Sequence, residues 1–170
     1  MEDSLKQWLS NNNISYTLHT HPAVFTVPEA KKYCSHIPGT HCKNLFLKNK
    51  KTGQFYLVTI PHEKRLDLNQ FRRMVGAPKI RFGSPEDLLA ILGITPGAVS
   101  PIGLVNDIEN KVIFMVDEVI WNAEELCCHP NDNTETLQIL GEDFRNLIKA
   151  TGTSIEIKNL PFLESENSEE

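Results

Sequence analysis

Three short segments carry residue types that could act on a phosphate or a carbonyl. The first is Lys43-Asn44, at the mouth of an otherwise apolar strand. A lysine offers three donors and a point charge, enough to hold a phosphate or steady a developing oxyanion. Asn44 can present an amide to a carbonyl or an amine. A lysine that merely guards an edge strand against aggregation would look the same. The second is Gly97-Ala98-Val99-Ser100-Pro101, inside a loop from Thr95 to Gly103. Gly97 lets the backbone approach a ligand or take positive φ, and Pro101 fixes the chain's exit. Successive N–H groups in such a loop can converge on one oxygen, and a tight connection with no ligand has the same pattern. The third is His129-Pro130-Asn131-Asp132-Asn133-Thr134. Histidine is the usual general base near neutral pH. No Ser or Cys is spaced to serve it as a nucleophile, so His129 equally reads as a pocket wall or a residue acting through its backbone carbonyl.

No metal site is expected. His19, His21, His36, His41 and His62 form no H-x-x-x-H pattern, and Cys34, Cys42, Cys127 and Cys128 include no C-x-x-C. The thiols read as buried or half-buried groups in a reducing compartment.

Positioning these segments requires a mixed array of strands and helices. Ser4 to Gln7 reads as a capping box for a first helix, and Ile14 to His19 as a strand. Thr26 can cap a second helix with Pro28 in its first turn. Asn44–Leu47 and Gln54–Ile60 flank a polar turn ending at Gly53, the pattern of a hairpin. Asp67 and Ser84 open two further helices, stopped at Gly76 and Gly93. Strands are expected at 79–82, 112–116, 125–128, 136–140 and 154–157, with a helix over 143–150. Residues 1–160 are expected to form one domain, and residues 161–170 a disordered acidic tail.

The chain's 170 residues, 40% apolar and 23% charged, suit one globular domain. No stretch is long and apolar enough to span a bilayer, and the acidic start lacks the order of a secretory signal, so a cytoplasmic location and no membrane partner are expected. The net charge of −5 conceals an asymmetry: residues 43–81 carry a net +8 and residues 84–170 a net −13. A local basic face can attract phosphate whatever the total charge. The same cations spread over several solvated faces would not.

The segments, in this order, resemble the YbaK/ProX family of editing domains associated with prolyl-tRNA synthetase. The carriers are His21-Pro-Ala-Val-Phe-Thr-Val-Pro-Glu-Ala30, Cys42-Lys-Asn-Leu-Phe-Leu47, Leu92 through Leu104 with its Gly97-x-x-x-Pro101, and His129-Pro-x-x-Asn133-Thr. The match runs from about residue 3 to 157. It implies an α/β fold, a strongly curved mixed β-sheet with flanking helices, and hydrolysis of an aminoacyl-tRNA ester by a free-standing protein. By this resemblance Lys43 stands near the terminal adenosine, Asn44 helps place the substrate, and Gly97, Ala98 and Ser100, up to Pro101, supply backbone donors. His129 and Asn133 belong to the segment that positions the amino acid and ribose, and Phe25, Thr26 and Val27 wall a small side-chain pocket. No metal or organic cofactor is required. The implied partners are the acceptor end of proline-type tRNA and prolyl-tRNA synthetase.

The task is physically sound. A synthetic site that admits proline cannot sterically reject the smaller alanine. Two buried methylenes are worth only about 1.6 kcal/mol, roughly 15-fold, so a second and smaller sieve is needed. Alanyl-tRNA of the proline type is the first expectation. Cysteinyl-tRNA of that type and a non-catalytic tRNA- or synthetase-binding module are the alternatives.

Overall fold

The structure, a computed structural model, describes residues 1–164. Eight strands form one mixed sheet in the order β1-β7-β6-β2-β3-β5-β8, with β4 added to β2. The strands are β1 (Thr17–Thr20), β2 (Thr40–Asn49), β3 (Phe55–Pro61), β4 (Ile80–Phe82), β5 (Val112–Asp117), β6 (Glu125–Cys128), β7 (Glu135–Leu140) and β8 (Ser154–Lys158). The helices are α1 (Asp3–Asn11), α2 (Val27–Cys34), α3 (Leu68–Met74), α4 (Pro85–Leu92), α5 (Glu118–Trp121) and α6 (Gly141–Ala150), with a 3₁₀ turn at Pro101–Asn106. The α/β architecture expected from the sequence is the one observed. None of the helices among the described residues is long and apolar enough to cross a membrane.

Strand β3 is buried along its whole length and divides the interior. Its alternate residues face opposite sides, as the period of two requires. Phe55 and Leu57 join Phe114, Leu92, Phe144 and Leu147 on one side. Tyr56, Val58 and Ile60 join Phe71, Leu66 and Met115 on the other. The parallel pairs β3/β5 and β5/β8 make the centre of the sheet a doubly covered layer, which explains the near-continuous apolar run in β3.

Local signals worked where side chains bond the backbone. Thr26 and Glu29 form a capping box on α2, Ser84 and Asp87 one on α4, and the Asp67 carboxylate accepts from Asn69 and Gln70 N–H. The first helix differs: its N-cap is Glu2 without a side-chain cap bond, and Ser4 lies within the helix. Burial of Leu5 and Leu9 against the core sets its start. The short α5 has no helical run to announce it and is held by Asp117, whose carboxylate accepts from Val119 N–H and Leu160 N–H.

Residues 161–163 continue the pairing. Phe162 bridges Leu66, Asp67 N–H donates to Pro161 O at 2.9 Å, and Leu163 N–H donates to Arg65 O at 2.8 Å. The ordered chain therefore reaches past residue 160, into the segment expected to be disordered. The rest of that acidic tail, residues 165–170, lies outside the described residues.

The feature that matters for the site is a break beside β2. On one edge β2 pairs with β3 from Cys42 to Lys48. On the other it pairs with β6 only at Thr40 and His41, and with β4 only from Leu47 to Asn49. Among the described residues, Cys42 to Leu45 has no ladder partner on that edge, and Phe46 O accepts from Gly83 N–H at 2.8 Å just beyond β4.

Candidate functional site

A cavity of about 450 Å³ opens against this unpaired edge. Its lining draws Lys43, Asn44 and Leu45 from β2, Gly97 and Val99 from the loop after α4, and His129 from the end of β6. Phe25, Thr26, Val27 and Lys31 come from α2 and the two residues before it. Consecutive strand residues normally face opposite sides. Here both Lys43 and its neighbour Asn44 reach one cavity because the hollow runs round an open strand edge.

Asn44 is fixed at both ends of its amide. Thr59 Oγ1 donates to Asn44 Oδ1 at 2.6 Å, and Asn44 Nδ2 donates to Val99 O at 3.3 Å. Thr59 is fully buried on β3 directly opposite Asn44 in the ladder. The amide thus ties the loop to the sheet, and its second N–H remains for a ligand.

Gly97 has φ of +90°, and a Cβ there would lie 3.0 Å from Phe25 Cδ1. The positive φ favours glycine, and any larger side chain would also have to displace the Phe25 ring. In the loop Ala98 N–H is spent on Thr95 O. The N–H groups of Gly97 and Val99 have no protein acceptor among the described residues.

Ser100 is fully buried. Its hydroxyl donates to His129 O and accepts from Ile102 N–H, capping the 3₁₀ turn. Ala98, Ser100 and Pro101 are buried and do not line the cavity, and neither does Asn133. They instead brace it: Asn133 O accepts from Val24 N–H at 3.1 Å, and Asn133 Nδ2 lies 3.9 Å from where a Gly97 Cβ would stand.

The His129 ring has a defined tautomer. Nδ1 is 2.8 Å from Glu135 O, which can only accept, so Nδ1 carries the proton and Nε2 is left as a lone-pair acceptor. Burial lowers the pKa of His129 below the ordinary histidine value. The Glu135 carbonyl opposes that shift, His21 and His41 add to it, and Asp132 opposes it. The neutral ring is the form held near neutral pH.

Lys43 is half-buried and has no carboxylate within ion-pair distance among the described residues. Burial first, then the charge of Arg65, lowers its pKa, and Glu63 partly offsets both. Among the described residues no Asp or Glu lines the cavity, while Lys31 and Lys43 do. The hollow is therefore suited to an anion.

The four cysteines are among the lining residues that the sequence did not place at the site. Cys34, Cys127 and Cys128 are buried and Cys42 half-buried, all as free thiols. Burial pushes Cys42 and Cys127 up to about 12, so they are held as thiols rather than nucleophilic thiolates. His41 and His62 also line the hollow, with ring centroids 5.7 Å apart, as does Thr136, whose hydroxyl is 2.8 Å from His21 Nε2. These groups sit on five separate segments, so no spacing in the sequence could have joined them. Among the described residues no group of three or more His, Cys, Asp or Glu side chains is arranged to hold a metal ion.

Fold and cavity define the class: a single mixed α/β domain with a ligand-sized, cation-lined cleft at the broken edge of its sheet. The model of the aminoacyl-tRNA editing domain family matches residues 21–147. The prolyl-tRNA editing protein ProX of Acetoanaerobium sticklandii is 34% identical over 146 residues, covering 86% of this chain and 89% of its own. Prolyl-tRNA synthetase associated domain-containing protein 1 of Danio rerio is 35% identical over 153 residues, covering 89% and 83%. A crystal structure described as a candidate trans-editing enzyme for prolyl-tRNA synthetase superposes with a TM-score of 0.69 at 22% identity, covering 97% and 99%. The chain belongs to the aminoacyl-tRNA editing domain family. It is a deacylase, a hydrolase of mischarged aminoacyl-tRNA.

Proposed function

We propose that this protein edits proline-type tRNA in trans, hydrolysing the ester of alanyl-tRNA with water as the nucleophile. The observation that carries the reading is the convergence of Lys43, Asn44, Gly97, Val99 and His129 on one cavity without a carboxylate. The names of the relatives point to prolyl-tRNA as the substrate class and to prolyl-tRNA synthetase as a partner.

In this reading the Lys43 ammonium and the free N–H groups of Gly97 and Val99 face the ester carbonyl and stabilise the charge that develops on its oxygen. Asn44, rigid between Thr59 and Val99, orients the aminoacyl group. His129 Nε2 accepts a proton from, or orients, the attacking water or the free ribose hydroxyl beside the ester. Thr26 and Val27 wall the amino-acid pocket. Burial raises the pKa of all four thiols, Cys42 and Cys127 to about 12, which leaves no cysteine poised as a covalent nucleophile and favours direct attack by water. Substrate phosphates add a salt-dependent attraction to the lysines.

A deacylation panel decides the substrate. Alanyl-, cysteinyl-, seryl- and prolyl-tRNA of the proline type are each mixed with purified protein, and the alanyl ester should turn over fastest with the prolyl ester untouched. Preference for the cysteinyl ester would reassign the substrate. Failure to hydrolyse any of the four would overturn the catalytic reading in favour of a binding module.

A further inference from the structure

One lining residue has a position that ester chemistry does not explain. Phe25 precedes the capping Thr26 of α2, and its N–H donates to Glu29 Oε2 at 2.7 Å while Thr26 N–H donates to the same oxygen at 3.0 Å. The backbone is thus pinned by the capping box. The side chain is nonetheless 67% exposed. Its ring edge rests against Gly97, whose missing Cβ leaves the room, and the rest of the ring faces open space at the cavity rim. Apart from histidines it is the only aromatic side chain among the cavity's lining residues. A residue that walled a methyl-sized pocket would be buried there rather than two-thirds in water.

We infer that Phe25 is the platform on which the terminal adenine of the substrate's 3′ end stacks. The inference rests on the aminoacyl-tRNA reading proposed above and goes beyond it by assigning the base a place. The ester of any aminoacyl-tRNA sits on the ribose of a 3′-terminal adenosine. With the ester beside Lys43 and Asn44, the base is one ribose away and must lie at the cavity mouth. An exposed aromatic ring on a pinned backbone provides a flat apolar face at the mouth, and base–aromatic stacking needs no hydrogen-bond pairing to be effective. Lys31, in the last turn of the same helix and in the same lining, faces the negative charge of the phosphates that accompany the base. The role is positioning: Phe25 acts on where the ester lies and takes no part in the bond exchange.

The test pairs variants of the full chain with two RNA minihelices, each carrying an alanyl ester. One ends in adenosine, and in the other the terminal ribose lacks its base. For the wild-type protein, loss of the base should lower kcat/KM about tenfold, mainly through KM, within the range known for one base–aromatic stack. Phe25→Ala should lower kcat/KM about tenfold on the adenosine substrate and hardly at all on the abasic one, because the interaction has then already been lost. Phe25→Trp should behave as wild type, and Phe25→Leu, which keeps apolar bulk without an aromatic face, as Phe25→Ala. The inference is overturned if the losses from base removal and Phe25→Ala multiply. It is equally overturned if Phe25→Leu retains full activity, or if Phe25→Ala changes only the discrimination between alanyl and prolyl esters. A wild-type protein inactive on both minihelices, and on the four charged tRNAs, would instead remove the deacylase reading on which the inference stands.

Discussion

Two ends of strand β2 carry the same residue type in different settings. Near its far end Lys48 is paired on both sides: β3 lies along one edge and β4 along the other. Its ammonium is 3.7 Å from Asp87 and 4.7 Å from the centroid of the Phe55 ring. Lys43, five residues earlier, stands where the second edge is missing and where no carboxylate among the described residues lies within ion-pair distance. One lysine closes a hydrophobic layer, and the other leaves a donor facing a cavity. The difference lies in what the sheet does beside each residue rather than in the residue. A lysine becomes available for chemistry where the ladder is interrupted and its counter-charge is withheld.

Substitution at both sites tests this contrast most directly. Lys43→Ala should lower deacylation by about 100-fold or more, the scale of losing one oxyanion donor, with little change in melting temperature. Lys48→Ala should leave the rate within about twofold, because its partly exposed pair with Asp87 contributes at most about 1 kcal/mol to stability. Equal effects of the two substitutions on rate would erase the distinction.

Asn44→Ala probes the boundary between positioning and folding. It strands the buried Thr59 hydroxyl and frees the Val99 carbonyl, which should cost about 1–3 kcal/mol of stability, read by chemical denaturation. Activity should also fall, since the loop carrying Gly97 loses its tie to the sheet. Full activity with full stability would show that the tie does not hold the loop.

The smallest effect is a pH dependence. Burial holds the His129 pKa below the ordinary histidine value of 6.5. The unfolded chain therefore takes up this proton before the folded chain does as pH falls. Stability from the neutral ring is fully present above about 6.5 and is lost as pH drops from there to the lowered folded value. The rate should follow on the acid side, because protonation removes the Nε2 acceptor. His129→Gln should flatten that acid limb when rates are measured with the Lys43 charge unchanged, and an acid limb unaltered in the variant would assign it to another group.

Much of the fold was legible in order. The hairpin of β2 and β3, the caps at Thr26, Asp67 and Ser84, and the stops at Gly76 and Gly93 follow from interactions only a few residues long. The start of α1 and the existence of α5 were less legible, because burial of Leu5 and Leu9 and the distant Leu160 N–H decide them. In the site, Lys43, Asn44, Gly97 and His129 could be singled out by residue type and order. Ser100 could be singled out too, but its hydroxyl turns to His129 O and Ile102 N–H rather than to the cavity.

By itself the sequence determined which local elements form and which residues have chemical capacity, since capping, turn geometry and hydrophobic period act over a few positions along the chain. Only the tertiary structure decided that one edge of β2 is open from Cys42 to Leu45, that Asn44 is clamped by Thr59 and Val99, and that four cysteines line the hollow. Those outcomes depend on strand pairing between segments far apart in the chain. Burial, counter-charge and open space arise from that pairing, and no residue carries them alone.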